Sequence, residues 1–99
     1  MSEVLDDDDR DRQLAGLPGW HGERASLQRS YEFPAFLVAV LAVDDVATAA
    51  EAMDHHPDID IRWRTVTFTL STHSAGGVTS LDIELAHRIH ELAGGHGGS

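Results

Sequence analysis

The chain contains no cysteine and no lysine. The first absence excludes disulfides, thiolate metal ligands and thiol nucleophiles. The second excludes Schiff-base chemistry on a lysine amine. Positive charge is scarce: the seven basic side chains are all arginines, set against 17 acids, for a formal net charge of −10. Nucleic-acid recognition needs a basic footprint, and none is visible, so no direct nucleic-acid partner is expected. Long apolar runs are missing too. The longest, PAFLVAVLAV at 34–43, is about half of the roughly 20 residues a membrane span requires. The opening MSEVLDDDDRDR has neither the basic nor the apolar region of a signal peptide. No membrane partner and a cytoplasmic location are therefore expected.

What remains is a chain of 99 residues, 41% of them hydrophobic, enough for one small domain. A domain of this length buries roughly 60–70% of the surface its unfolded form exposes, so self-association can cover part of the rest. The expected division is an acidic disordered leader at 1–9, a folded domain at 10–93 and a flexible Gly-rich tail at 94–99.

Within the domain, residues 10–17 suit a short helix with Leu14 and Leu17 inward, stopped by Pro18 and Gly19. In LQRSYEF, Leu27, Arg29, Tyr31 and Phe33 share one parity, the pattern of a half-buried strand in a short hairpin. Residues 34–54 form the longest helix candidate, with Pro34 in its first turn. Phe36, Val40, Val43, Ala47, Ala50 and Met53 recur every three or four residues, and Leu37, Val38 and Leu41 widen that stripe. The surplus width suits either a broad internal face or a contact with another subunit. Asp44 and Asp45 interrupt it.

Pro57 disfavours helical geometry at His56 and ends this helix. In DIDIRWRTVTFTL, Ile59, Ile61 and Trp63 share one parity, and Val66, Phe68 and Leu70 share the other. The switch requires a turn or bulge between two strands. Thr79 with Asp82 three residues later resembles a capping box opening a helix at 80–93, with Leu81, Leu85, Ile89 and Leu92 inward. Helices and antiparallel strands in this order give an α+β fold: an antiparallel sheet with helices packed on one face.

One stretch, EAMDHHPDID at 51–60, carries candidate chemistry. Glu51 and His55 are four apart, so a helix puts them on one face, with His56 about 100° further round. The last helical turn, at the negative end of the helix dipole, favours imidazolium. Imidazole exchanges protons readily near neutral pH. His73, expected to end a strand some eighteen residues later, could join them in one pocket. Helix-end residues without chemistry, a zinc site of three histidines and a glutamate, and a metal-free acid–base site all fit these spacings. Adjacent histidines diverge, which makes a shared ion awkward.

The chain resembles the pterin-4a-carbinolamine dehydratases. The resemblance rests on Glu51, His55-His56-Pro57, Trp63, Thr72-His73 and Asp82 at family-like spacing, together with Gly19-Trp20, LQRSYEF and STHSAGGVTSLDIELAHRI. It covers roughly residues 14–92. It implies a four-stranded antiparallel sheet and a homodimer or homotetramer. It also implies dehydration of 4a-hydroxytetrahydrobiopterin to quinonoid dihydrobiopterin, in tetrahydrobiopterin recycling beside phenylalanine hydroxylase. The pterin is the substrate, and no cofactor or metal is implied. By position, His55 and His73 resemble the acid–base pair, His56 the substrate-positioning residue and Glu51 the orienting carboxylate. Trp63 and Asp82 complete the motif as candidate substrate contacts, with packing and helix-start roles as the plain alternative. His21, His87, His90 and His96 fall outside it and are expected to be ordinary surface or helix residues. The resemblance also leaves room for a dimerisation-cofactor role toward a protein partner, or for a different pterin such as a molybdopterin-related compound.

Overall fold

A computed structural model of the chain describes residues 3–99. Its sheet is built on side-chain parity. Strand β2 (Leu27–Glu32) turns Leu27, Arg29 and Tyr31 inward and leaves Gln28, Ser30 and Glu32 in solvent. Strand β4 (Thr65–Leu70) alternates in the same way, burying Val66, Phe68 and Leu70. The two pair antiparallel from Leu27↔Leu70 to Glu32↔Thr65. A two-residue strand β1 (His21–Gly22) pairs with the start of β2, and β3 (Asp58–Arg62) pairs with β4 from Asp58↔Thr69 to Arg62↔Thr65. The sheet is therefore four-stranded and antiparallel, in the order β1-β2-β4-β3. Trp63 and Arg64 form the turn between β3 and β4, with Trp63 at φ 55°. This is the expected parity switch, made at the tip of a hairpin.

Helices α2 (Phe36–Met53) and α3 (Ser80–Gly95) pack against each other over one face of the sheet. The core between them and the sheet contains Tyr31, Phe33, Phe68, Leu85 and Ile89, all essentially without solvent contact. The inward stripe of α2 differs from the expected one. Ala39, Ala42, Val46 and Ala50 face the core, while Phe36, Leu37, Val40 and Leu41 face out. Small side chains let the helix approach the aromatic core closely; Phe36 and Val40 on that face would hold it away. Pro34 precedes the helix instead of opening it, because Ala35 in extended conformation is the N-cap.

Two terminal expectations also change. Met1 and Ser2 lie outside the described residues, but Asp7, Asp8 and Asp9, expected in a disordered leader, form the first turn of α1 (Asp7–Leu14). The Asp6 carboxylate accepts the Asp9 N–H at 2.8 Å. Acids at the positive end of a helix stabilise it, so the acidic run nucleates structure here. At the other end, α3 runs on to Gly95. Beyond it, Ser99 exchanges both backbone hydrogen bonds with Glu32 at 3.0 Å. Gly98 lies where a β-carbon would stand 2.8 Å from the Phe33 ring, so the absence of a side chain lets the chain cross there. Among the described residues, no helix is long and apolar enough to cross a membrane.

Candidate active site

Helix α2 ends earlier than Pro57 alone suggests. Asp54 adopts the left-handed conformation at φ 50°, and its N–H closes the last turn onto Ala50 and Glu51. The His55 N–H then returns to the Ala50 carbonyl at 3.0 Å. A left-handed C-cap followed by such a bond is a standard way to satisfy the last helical carbonyls, and Asp tolerates that conformation. His55 and His56 therefore lie beyond the helix, not in its last turn. This changes their partners. Glu51 does not orient His55; its Oε1 meets His56 Nε2 at 2.5 Å, with both side chains more than half exposed.

His55 turns inward and has another partner. Its Nε2 lies 2.6 Å from Asp82 Oδ1. Asp82 has no solvent exposure, and His55 has about 9%. The second carboxylate oxygen, Oδ2, accepts the Thr72 hydroxyl at 2.8 Å and the Thr79 backbone N–H at 2.9 Å. Thr79 forms the capping box of α3 with Asp82; its side chain also accepts the Leu81 N–H, and its hydroxyl bonds Thr72 at 2.8 Å. Among the described residues, no buried side-chain polar atom lacks a partner. A carboxylate at the positive end of a helix, facing three donors, fixes the tautomer. Nε2 of His55 donates to Asp82, and Nδ1 is the nitrogen left for chemistry.

The fold brings these groups together at one end of the sheet. β4 ends at Leu70 and leads through Ser71 to Thr72. β3 begins at Asp58, paired with Thr69, just after His56-Pro57. α3 starts at the same end with Thr79 and Asp82. His73 follows Thr72 in an exposed loop that is closed by the Thr72↔Gly77 bridge. Glu51, His55, His56, His73 and Asp82 thus lie on three segments that meet at this end of the sheet, where His55 pairs with Asp82 and His56 with Glu51. Trp63 is not among them. It sits at the opposite end of the β3–β4 hairpin, five strand residues and roughly 17 Å away. It is 72% exposed, with the Arg64 guanidinium 4.9 Å above its ring. Among the described residues, no three His, Asp or Glu side chains are gathered as a metal cage.

Sequence reasoning took Asp82 as a substrate contact or helix-start residue, and the structure shows it buried behind His55. The holding roles of Thr72 and Thr79 were missed, though the Thr-x-x-Asp capping pattern and the Thr-His pair were the available signals. His21 and His87 are exposed as expected. His90 and His96 are not free. His90 Nδ1 takes the Tyr31 hydroxyl at 2.9 Å, and Tyr31 in turn accepts the Trp20 indole N–H at 2.8 Å. His96 pairs at 2.6 Å with Asp45, one of the acids that interrupt the apolar stripe of α2.

Comparison with known proteins identifies the family and the fold. The profile of the family described as Pterin 4 alpha carbinolamine dehydratase matches residues 3–92. A Mycobacterium sp. (strain KMS) protein named "Putative pterin-4-alpha-carbinolamine dehydratase" is 56% identical over 89 residues, covering 90% of this chain and 95% of its own length. A Nocardia farcinica protein of the same name is 53% identical over 92 residues, covering 93% and 97%. The crystal structure of a Brucella melitensis transcriptional coactivator/pterin dehydratase superposes with a TM-score of 0.88 at 33% identity, over 92% of this chain and 99% of that one. A pterin dehydratase-like RuBisCO assembly factor of the alpha-carboxysome shares the fold, with a TM-score of 0.63 at 24% identity over 76% of this chain and 87% of that one. By profile, by sequence and by fold, the chain belongs to the pterin-4a-carbinolamine dehydratase family.

Proposed function

We propose that this chain dehydrates 4a-hydroxytetrahydrobiopterin to quinonoid dihydrobiopterin and water by histidine general acid–base catalysis. The observation that carries this is the nearly buried His55 imidazole, tied through Nε2 to a fully buried carboxylate that two further donors hold in place. An imidazole so fixed presents Nδ1 for proton transfer with little reorganisation.

The chemistry needs no more than such groups. A ring nitrogen pushes electrons toward C4a as the C4a–O bond breaks. An acid delivers a proton so that water leaves instead of hydroxide, and a base takes the proton from the ring nitrogen. Atoms balance by loss of one water, with no oxidant or reductant, so no metal or redox cofactor is required. His55 and His73 act as the acid–base pair. His56, braced by Glu51, positions the pterin at the exposed mouth of the site. In the cytoplasm, such an activity supplies quinonoid dihydrobiopterin to a separate reductase that returns it to tetrahydrobiopterin, beside an aromatic hydroxylase such as phenylalanine hydroxylase.

A second role is favoured by one observation. Phe36, Leu37, Val40 and Leu41 make an exposed apolar face on α2 among the described residues. A second copy is its proposed occupant, giving a homodimer or homotetramer. A coactivator-type partner is the alternative occupant.

The test of the enzymatic role is ultraviolet absorbance during decay of enzymatically generated 4a-hydroxytetrahydropterin. His55→Ala and His73→Ala should each slow catalysed decay, by about 10²-fold or more if each supplies a proton-transfer step. Their combination should approach the uncatalysed rate. Full activity in the double variant would exclude the assignment.

A further inference from the structure

We infer that Val4 and Leu5 are positioning residues, a short extended brace that fixes the His73 loop relative to the Asp82 cap. The inference rests on the catalytic role proposed for His73. The loop itself is closed by Thr72 and Gly77, whose backbones exchange hydrogen bonds at 3.0 and 3.4 Å. That closure orders residues 72–77 among themselves, and the Thr72 hydroxyl ties the start of the loop to Asp82 and Thr79. The far end of the loop is attached one residue later, at the fully buried Val78. Its N–H donates to the Arg24 carbonyl at 2.9 Å, and its carbonyl accepts the Leu5 N–H at 2.8 Å.

Val78 is therefore held between the β1–β2 turn on one side and the segment before α1 on the other. The next residue is Thr79, whose N–H holds Asp82 Oδ2. The peptide clamped by Leu5 is thus the short link between the loop carrying His73 and the carboxylate orienting His55. Side chains reinforce the clamp. Leu5 packs against the core. A β-carbon on Gly77 would meet the Arg24 carbonyl at 2.6 Å and Val4 Cγ1 at 3.1 Å, so the loop and the brace are in close contact. α1, started by the Asp6 cap immediately after Leu5, anchors the other end of the brace.

The experiment uses the full chain with three substitutions. Leu5→Pro removes the N–H that holds Val78. Leu5→Ala keeps that N–H and removes only side-chain packing. Gly77→Ala wedges the loop from the other side. Hydrogen exchange should accelerate about tenfold at the amides of residues 72–79 in Leu5→Pro, the scale of one lost net hydrogen bond, and stay near wild type at core strand amides. Turnover in Leu5→Pro and Gly77→Ala should fall several-fold, with KM changing less than kcat. Leu5→Ala should resemble wild type in loop exchange. In a His73→Ala background, Leu5→Pro should cost nothing further, because its effect passes through that side chain. Unchanged exchange at 72–79 in both Leu5→Pro and Gly77→Ala would overturn the brace. An equal loss of turnover with and without His73 would overturn it as well. If His73→Ala alone retains wild-type turnover, the catalytic assignment fails instead, and loop exchange alone decides whether the brace exists.

Discussion

Replacing Asp82 by Asn is the most informative single change in this protein. The carboxylate is fully buried and accepts from His55 Nε2, the Thr72 hydroxyl and the Thr79 N–H. An amide of nearly the same shape keeps one acceptor oxygen and presents two donors. With its oxygen toward His55, the NH₂ group would face the Thr79 N–H, a donor that cannot change its role, and the capping box would be lost. With its oxygen toward Thr72 and Thr79, the NH₂ faces His55, which can adapt by moving its proton to Nδ1. The second arrangement is the cheaper, so the fold should survive. The stability loss should be about 1–3 kcal/mol, the cost of replacing one charge-assisted bond by a weaker one, or a Tm lower by roughly 4–8 °C per kcal/mol at this size. The catalytic cost should be much larger. Nδ1 would then carry a hydrogen and could not accept a proton, as when the acid of a Ser-His-Asp triad is replaced by its amide. Turnover should fall about 10²–10⁴-fold. Nitrogen-15 NMR of the imidazoles reads the tautomer directly, and ultraviolet decay of 4a-hydroxytetrahydropterin reads turnover. An Asp82→Asn protein with the His55 proton still on Nε2, or with wild-type turnover, would refute the reasoning.

Two further outcomes are expected. Burial pushes the Tyr31 phenol above its ordinary value of 10.0, against opposing contributions from the Trp20 hydrogen bond and Arg29. The folded state holds that proton more tightly, so its stability is fully present below pH 10 and is lost as pH rises through the higher folded value. Denaturant unfolding should weaken above pH 10 in wild type. Tyr31→Phe should lack that step, at the cost of about 1–3 kcal/mol for leaving the Trp20 N–H unpaired; parallel pH profiles would contradict this. Leu37 and Leu41 are 73% and 57% exposed, so changing both to Glu should alter folding by only about 0.5 kcal/mol each while dissociating the assembly. Light scattering on the eluting protein checks both variant and wild type, and a monomeric wild type at tens of micromolar would refute self-association through α2.

Local alternation carried much of the fold. β2 and β4 are legible because their buried and exposed residues alternate without a break, and the β3–β4 turn is legible because the parity changes there. Helix faces were harder to read. In α2 the large apolar residues suggested the inward side, yet alanines occupy it, because the choice depends on what the sheet offers opposite. The end of α2 was hardest. A left-handed Asp54 leaves no hydrophobic signature, and those few degrees of backbone decide whether Glu51 meets His55 or His56. The partner of His55 is 27 residues away in sequence. Spacing could nominate Asp82 as a motif member, but only packing reveals that it stands behind the imidazole. The acidic leader and Gly-rich tail misled for one reason: composition reports what a segment can do unsupported, and here a helix cap and the Glu32–Ser99 backbone pair support them.

The arrangement separates two tasks along one helix. α2 has 18 residues, a length of about 27 Å. Its first half carries Phe36, Leu37, Val40 and Leu41 outward, and Phe33, just before it, bonds to Arg64 in the turn that holds Trp63. Its other end carries Glu51, which pairs with His56, and leads into His55, which reaches Asp82. Most of the large exposed apolar side chains therefore lie away from the titratable ones. Desolvating the apolar end in an assembly need not strip water from His56 or Glu51, whose exposure keeps the mouth of the site open to a small polar substrate. The helix also anchors the histidine end. Ala39, Ala42, Val46 and Ala50 bury one face of it against the core, and beyond its end His55 is fixed by one buried carboxylate. An imidazole held from behind by a buried carboxylate is the arrangement that the proposed general acid–base catalysis would use.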